Sequence, residues 1–505
     1  MSHQDEMKNV FPLITVLIAV VVSSSGLWKG LFVSKQLRIV NVYMSIASGI
    51  PDPADIKNTG QWYLLGHISS GVSHFNHITG KFEPLLADVE SYSGGAHTYT
   101  LRESAKFSDG TPVTAIDFVA SLKRILILKT STHFPLWKYV EGCDQLKTMV
   151  DECTGLKIIS DRKVEIRLKV PVENFNLQMS SPETGIWYHG DIDENSKSLA
   201  INPTRFSGPY SLSHHDEAGF ELVRNSHNPI SQQFVDSPAK INVRILKSKD
   251  VEAAMIGSKI DLVIRSHNPY DETDYNKIGF GIYSSAPATL LYLHGAGMSS
   301  RRRITKQFVN ELWKSNSDSS IIPADNFLPF DPSLSLKREE FLSALPDSSK
   351  GVGPIRIGVP WTYLSNAFYR FLESSGVRAG LNIKLIPLTP DEWGNALTTP
   401  DAPKGIDYIL AIYAASERYP AVQLRYIAGT VRGPSQTSLD AADAPDLSTE
   451  KKEELREFQK ALLSHQYAVP LFFSKHQLTF RTSLIDVGDQ PPSDAEVELW
   501  RMTKK

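Results

Sequence analysis

The segment Tyr99 to Arg124 reads YTLRESAKFSDGTPVTAIDFVASLKR and combines a strand, a turn and the start of a helix. Residues 97–102 alternate between apolar and polar side chains, which is typical of a half-buried strand. Ser108–Thr111 has the composition of a tight turn whose glycine adopts a positive φ. Thr114 followed by Asp117 predicts a helix N-cap. This order of elements indicates a mixed α/β protein.

The chain beyond residue 350 alternates between strand and helix patterns. Short apolar strands are predicted at 355–359, 382–387 and 406–412, with amphipathic helices after the first two of them. Another helix, which carries Leu455, Phe458 and Leu462, and the apolar strand 469–473 follow. This alternation predicts an α/β lobe with a mostly parallel sheet.

Length and composition restrict the function classes. A chain of 505 residues with 41% hydrophobic and 22% charged residues is expected to form two or three globular domains. The net charge is −3, and Arg301–Arg303 is an isolated basic cluster, so a nucleic-acid partner is not expected. Nucleophile, metalloprotease and phosphate-binding motifs are absent, which predicts a protein that is not an enzyme and carries no cofactor. His214–Asp216 could ligate a metal, but its place between two hairpin strands predicts an exposed turn instead.

The N-terminus carries the pattern of an export signal. Val10–Val22 is a thirteen-residue apolar run, and the small residues Ser23–Gly26 follow it. The run is short for a membrane span, so a cleaved signal peptide is preferred over an uncleaved anchor. Asp5 and Glu6 oppose the positive charge expected before the run, and translation from Met7 would remove this conflict.

The two cysteines of the chain are Cys143 and Cys153. Neither lies near the apolar run, so we do not expect a lipid-anchored protein. In an exported protein the two could form a disulfide, although two unrelated thiols are an equal alternative from the sequence alone.

Several stretches occur along the chain in the same order as in a known family. They resemble the peptide/nickel-type (family 5) extracellular solute-binding proteins of ABC importers. Tyr99–Arg124 resembles the family signature almost throughout. The other matching stretches are Asp52–Ala54, Thr79–Lys81, Pro84–Ala87, Gly208–Leu212, Leu222–Asn225 and Val469–Phe472. Together they extend over most of the chain after residue 36.

This resemblance implies a two-lobed α/β fold of the periplasmic-binding-protein type (type II, in the cluster with an extra subdomain), with hinged lobes and mixed sheets. Residues 1–35 would be signal peptide and leader. The implied divisions of the remainder are a discontinuous first lobe at 36–70, 195–285 and 475–505, an extra subdomain at 71–194 and a second lobe at 286–474. The expected protein is a periplasmic monomer that delivers a peptide or other small solute to a membrane permease.

The candidate ligand-binding residues follow predicted strands or precede the return to the first lobe. They are Tyr413, Ser416, Glu417, Trp361, Trp187 and Tyr188. Aromatic side chains suit a cleft that holds varied solutes by contact area, and core packing is the equal alternative for each tryptophan.

One position departs from the pattern of the peptide-binding members. Those members place an aspartate four residues before a proline, where it pairs with the peptide's α-amino group. Here Ser416 stands four residues before Pro420, with Glu417 beside it. A serine supplies no charge, so the resemblance implies a ligand that is N-blocked, a modified or cell-wall-type peptide, or not a peptide.

Three function classes therefore remain open. The first is the solute-binding component of an ABC importer. The second is a related binding protein that senses or scavenges without its own importer, or that binds a metal complex or an oligosaccharide. The third, a hydrolase on an α/β scaffold, is disfavoured because no nucleophile motif is present.

Overall fold

The computed structural model describes most of residues 39–505. Outside the described residues are 1–38, 45–48, 55, 57–58, 77, 94, 130–135, 173–174, 194–202, 247–249, 267–268, 271–272, 296–301, 329–332, 350–352, 361–363, 399–404, 415–423, 425–426, 428–447 and 491–496. The predicted signal peptide falls in this set.

The strands of the first half of the chain are short. They are β1 (Ile39–Met44), β2 (Ser73–Asn76), β3 (Lys81–Pro84), β4 (Ala87–Ser93), β5 (Ala96–Leu101), β6 (Leu156–Ser160), β7 (Lys163–Arg167), β8 (Tyr210–Asp216), β9 (Gly219–Arg224), β10 (Lys240–Arg244) and β11 (Leu262–Ser266). Two long strands occur in the second half. The strands there are β12 (Phe280–Gly295), β13 (Ile321–Pro323), β14 (Ile355–Pro360), β15 (Ile383–Leu388), β16 (Tyr408–Ala414), β17 (Ala468–Arg481), β18 (Ile485–Asp486) and β19 (Thr503–Lys504).

The helices are distributed along the whole chain. They are α1 (Thr59–Ile68), α2 (Ala115–Leu128), α3 (Leu136–Tyr139), α4 (Phe175–Gln178), α5 (Pro229–Gln233), α6 (Val251–Ile256), α7 (Lys306–Ser315), α8 (Arg338–Ala344), α9 (Asn366–Arg378), α10 (Pro390–Thr398) and α11 (Thr449–Ser464). None of the helices in the described part of the chain is both long and apolar enough to cross a bilayer.

A mixed sheet of eleven strands runs through the molecule, with its main path in the order β15-β14-β16-β12-β17-β11-β1-β10-β9-β8. At one end, β14 pairs in parallel with β15 and β16, as the strand–helix alternation predicted. The prediction of a mostly parallel sheet was wrong, because β16 pairs antiparallel with β12, and β17 pairs antiparallel with both β12 and β13. In the other half, β1 pairs in parallel with β10 and β11. The two halves are connected through the antiparallel pair β12–β17.

Two large hydrophobic cores lie on this sheet. The second core contains buried side chains between Leu290 and Phe473. The first core contains side chains from the N-terminal half of the chain together with Leu478 and residues of the C-terminal segment. The strands β12 and β17 therefore leave one core and enter the other. We call the parts of the molecule around the first and second cores the first and second lobes.

The register of β12–β17 is broken where the strands pass between the lobes. Ser284 pairs with Gln477 and Thr289 with Ser474, and register shifts occur on both sides of Pro287. Such irregularities bend a strand pair and leave residues without ladder partners. The crossing between the lobes is thus the weakest part of both long strands.

Residues 71–194 carry a separate antiparallel sheet in the order β4-β5-β7-β6, and most of their buried apolar side chains belong to the first core. Helix α2 begins as predicted. The backbone N–H and the hydroxyl of Thr114 donate to the Asp117 carboxylate at 2.8 and 2.6 Å. Gly110 has a φ of 86° in the predicted turn.

The two cysteines of this region form a disulfide. Their Cα atoms are 4.9 Å apart, which is within the range that a disulfide can bridge. Cys143 and Cys153 are both buried and belong to the first core.

Candidate functional site

The carboxyl ends of strands from both lobes point to the crossing between the lobes. In the first lobe, Ser266 at the end of β11 pairs with His476, beside the register shift. In the second lobe, Ala414 at the end of β16 pairs with Thr289 on the other side of the shift. Because β14 runs parallel to β16, its carboxyl end points the same way. Ligands of open α/β sheets bind beyond such strand ends, so the region beside the crossing, between the two lobes, is the candidate site. We call this region the cleft.

Four of the predicted ligand residues end or follow strands of the second lobe, so a place on the second-lobe side of the cleft is expected for them. Tyr413 is the penultimate residue of β16, is half-buried and packs against the second core. Ser416 and Glu417 follow β16, and Trp361 follows β14, but all three lie outside the described residues. Their contact with a ligand stays a prediction.

The other two predicted residues pack in the first lobe. Trp187 is only 2% exposed, and its backbone N–H donates to the Ser121 hydroxyl at 2.9 Å. Its ring centroid lies 6.2 Å from that of Phe206, so the side chain is part of the first core in this conformation. A role of Trp187 in ligand contact also remains a prediction.

Tyr188 is half-buried and engaged by a cation. The Arg205 guanidinium carbon lies 3.9 Å from the centre of the Tyr188 ring, and the same guanidinium forms an ion pair with Asp109 at 3.0 Å. Burial raises the pKa of neighbouring Asp191, although the backbone N–H groups of Thr204 and Arg205 act in the opposite direction. These contacts hold the segment 188–191 against residues 204–205.

A small cavity of about 60 Å³ lies elsewhere in the first lobe. Its lining comes from α1, the turn at 180–182 and the C-terminal segment, and includes His67, Ser73 and Glu498. Solute sites usually have volumes of about 300–1,000 Å³, so this cavity has room for water but not for a peptide.

The ionisable groups that line this cavity include Glu498, His74 and His67. Burial opposes the charge on Glu498, but hydrogen bonding and charge from His74, and the charge of Arg501, lower the pKa of its carboxyl overall. Burial lowers the pKa of His67 to about 4. Neutral His67 contacts the Tyr63 carbonyl oxygen through Nδ1 at 2.6 Å and accepts the Leu499 N–H through Nε2 at 3.2 Å. These contacts attach the C-terminal segment to α1.

Over the described part of the chain, no group of three or more His, Cys, Asp or Glu side chains is arranged to hold a metal ion. His214 and Asp216 are exposed and lie 3.4 Å apart. They are the last residues of β8 rather than the turn that the sequence predicted, because the hairpin pairing continues to Asp216 and Gly219.

The sequence analysis missed one residue beside the cleft. Tyr270 lies in the connection between β11 and β12. Its side chain packs against the second core, although β11 and the start of β12 belong to the first lobe. The local sequence signal is Pro269, which is typical of a turn. A turn signal does not tell which lobe the following tyrosine contacts.

Comparison with known sequences places these features in a family. Residues 81–294 match the family described as bacterial extracellular solute-binding proteins, family 5 middle. The chain is similar to a dipeptide-binding protein of Lactococcus lactis (22% identity, 55% of this chain and 53% of that protein). It is also similar to the dipeptide-binding protein DppE of Bacillus subtilis (30% identity, 33% of this chain and 32% of that protein). The periplasmic murein peptide-binding protein MppA of Escherichia coli is 34% identical over 25% of this chain and 24% of its own length. These matches span about half or less of each relative.

Solved structures resemble this fold over nearly its whole length. The pheromone receptor PrgZ has a TM-score of 0.72 at 16% identity and is matched over 93% of this chain and 100% of its own. The E. coli murein tripeptide-binding protein MppA has a TM-score of 0.70 at 16% identity, over 93% of this chain and 98% of its own. At this identity the likeness shows the fold, which is that of the two-lobed periplasmic binding proteins. In the sequence of residues 81–294 and in its fold, the chain resembles family 5 of the bacterial extracellular solute-binding proteins.

Proposed function

We propose that this protein is the solute-binding component of an ABC importer and captures a peptide or peptide-like solute in the cleft between its two lobes. The observation that carries the proposal is the pair of separate cores, which are connected by β12 and β17 with a break in register between them. A hinge at this position lets the lobes close on a solute and remove it from water.

The class of solute is supported by the relatives. The three sequence relatives named above are dipeptide- or murein-peptide-binding proteins. The residues that the structure describes at the cleft are strand ends, which fits capture and release of an unchanged molecule. We therefore propose a binding role and no enzymatic one.

Within this class, we propose that the solute lacks a free α-amino group. A buried ammonium group without a carboxylate partner costs several kcal/mol, and a serine hydroxyl cannot offset that charge. The sequence places Ser416 where peptide-binding relatives have the aspartate that pairs with this amine. A modified, N-blocked or cell-wall-type peptide satisfies this constraint.

The location that fits this role is the periplasm. We propose that the mature protein begins between Gly26 and Lys35, after cleavage behind the apolar run. N-terminal sequencing of protein from a native-like host tests this proposal. An intact N-terminus in the membrane fraction would show an anchor instead.

Small-angle X-ray scattering during solute titration tests the capture mechanism. A solute that contacts both lobes favours the closed form, because it gains contacts there that the open form does not offer. The radius of gyration should fall as solute is added, and the melting temperature should rise by mass action. A saturating solute that leaves the radius unchanged would contradict capture by lobe closure.

A further inference from the structure

The connection between β11 and β12 contacts the second lobe, although it begins and ends on the first. Tyr275 and Phe280, after the loop, pack in a small core on the first-lobe side together with Val263. Tyr270 instead stacks on Phe371 of α9, with the ring centroids 4.9 Å apart and the planes inclined by 30°. The chain thus reaches across to the second lobe at Tyr270 and then returns.

Polar contacts fix the same residue. The backbone N–H of Tyr270 donates to Oδ2 of Asp318 at 2.6 Å, and its hydroxyl donates to Oδ1 of Asn316 at 3.1 Å. The carbonyl oxygen of Pro269 accepts the Ser365 hydroxyl at the start of α9. Burial raises the pKa of Tyr270 above its usual value, so the hydroxyl keeps the proton that it donates.

The backbone of Tyr270 adopts a conformation that is unfavourable for a bulky residue. Its φ is 59°, in the left-handed region, which is unfavourable for residues other than glycine. Such a conformation persists where surrounding contacts determine it, and here those contacts come from the other lobe. The observation supports a contact that is specific rather than incidental.

The receiving loop on the second lobe is held by hydrogen bonds of its own and lies next to the hinge. Asp318 accepts the backbone N–H of Ser320 through its other oxygen at 2.8 Å. The Asn316 amide donates to the carbonyl oxygen of Ile321 at 3.1 Å. Ile321 in turn pairs with Ser474 of β17, at the register shift. Tyr270 is therefore held by a loop that is bonded to the crossing strand.

We propose that Tyr270 is a positioning residue that forms a third connection between the lobes and fixes the orientation of the second lobe relative to the first. Two adjacent strands with a break in register form a ribbon that can both bend and twist. The Tyr270 contact belongs to neither strand. It restrains the twisting of the two lobes against each other but still allows the bending that closes the cleft. Its importance for solute capture rests on the proposed function, whereas its effect on lobe orientation does not.

Inter-lobe distances measured by pulsed electron paramagnetic resonance test this proposal without any solute. Spin labels on Val235→Cys of the first lobe and Val377→Cys of the second occupy positions that are 59% and 73% exposed. The native cysteines are bonded to each other, so they do not take the label. The protein that retains Tyr270 should give one narrow distance distribution.

The variants separate positioning from general stability. Tyr270→Ala should broaden or shift the distribution, and Tyr270→Phe should largely restore it, because the ring stacking and the bond from the backbone to Asp318 remain. Tyr139→Ala is the matched control, since Tyr139 is also half-buried but packs within the first core. This control should lower the melting temperature without changing the distances.

Asp318→Ala removes the second-lobe carboxylate that accepts the Tyr270 N–H. This variant tests the same contact if Tyr270→Ala does not fold. Folded Tyr270→Ala or Asp318→Ala protein with the unaltered distribution would overturn the proposal. Failure of the protein that retains Tyr270 to bind peptides would contradict the proposed function, but it would leave these solute-free distances unaffected. The two claims can therefore fail separately.

Discussion

Pro287 of β12 faces Lys475 of β17 between two breaks in the register of the strand pair that connects the lobes. Proline has no N–H to donate to the ladder, so the pairing is weakest where the first core ends and the second begins. The same two strands are regularly paired on both sides of this point, between Phe280 and Ser284 and again from Thr289 to Leu291. The hinge is thus a local defect in an otherwise continuous sheet.

Hydrogen exchange should reveal this defect directly. We expect the amides of Ser284–Thr289 and 474–477 to exchange faster than those of Leu293–Gly295 on the same strand, because broken pairing exposes their backbone groups to solvent. The flanking residues provide the internal control in one mass-spectrometric experiment. Uniform protection along β12 would show that the crossing does not open.

Acid should weaken the folded protein through His67. Its pKa is about 4 in the folded state and about 6.5 in an unfolded chain, so protons bind preferentially to the unfolded chain between these values. The contribution of neutral His67 to the unfolding free energy is complete above pH 6.5 and is lost as the pH falls to 4. Its total is about 3 kcal/mol at most. Urea unfolding at a series of pH values measures the slope.

Substitution assigns this pH dependence to the residue. His67→Gln keeps a donor and an acceptor but cannot titrate, so its unfolding free energy should fall less between pH 6.5 and 4. His294, whose pKa burial also lowers to about 4, contributes in the same direction in both proteins and cancels in the difference. Exposed His214→Gln is the control. Parallel curves for His67→Gln and the parent protein would refute the assignment.

The disulfide should stabilise the first lobe. Cys143 and Cys153 are ten residues apart, and a loop of this size restricts the unfolded chain by about 2–3 kcal/mol. Replacing both by serine should lower the unfolding free energy by at least this amount, since both positions are buried. Intact mass with and without reduction checks the bond itself. Alkylation of both thiols in denaturant without reductant would contradict the pairing.

Ligand preference should follow from Ser416. We expect N-acetylated di- to pentapeptides to bind more tightly than their free-amine counterparts in calorimetry, because no carboxylate offsets a buried ammonium. Ser416→Asp should shift the preference toward free amines, and Ser416→Thr is the uncharged control. Tight binding of free peptides that is lost in Glu417→Gln would show that Glu417 supplies the charge instead.

The elements that the sequence predicted well are those with local signals. The Thr114–Asp117 cap and the strands at 355–359 and 382–387 were identified because capping residues and apolar runs are encoded in adjacent positions. The strand predicted at 469–473 proved to be the start of β17, which continues to Arg481. Its apolar run ends where the strand leaves the second core, so composition alone suggested an end there.

The candidate site was harder to predict from the sequence than the fold. Trp187 precedes the return to the first lobe in the chain, but an aromatic side chain has the same local signature in a core as in a cleft, and the structure places it in the first core. The contact of Tyr270 with Asp318 joins residues 48 positions apart across two lobes. Contacts of this kind depend on tertiary arrangement and leave no periodic pattern in the sequence.

Native mass spectrometry of freshly purified protein decides whether a peptide-like solute is captured. We expect an adduct that is released on denaturation and that fragments into amino-acid residues with a blocked or modified N-terminus. Protein stripped of this adduct should rebind it at one equivalent. Protein that carries no adduct after purification, and that binds neither free nor N-acetylated peptides from a library, would contradict the claim that this protein captures a peptide-like solute between its lobes.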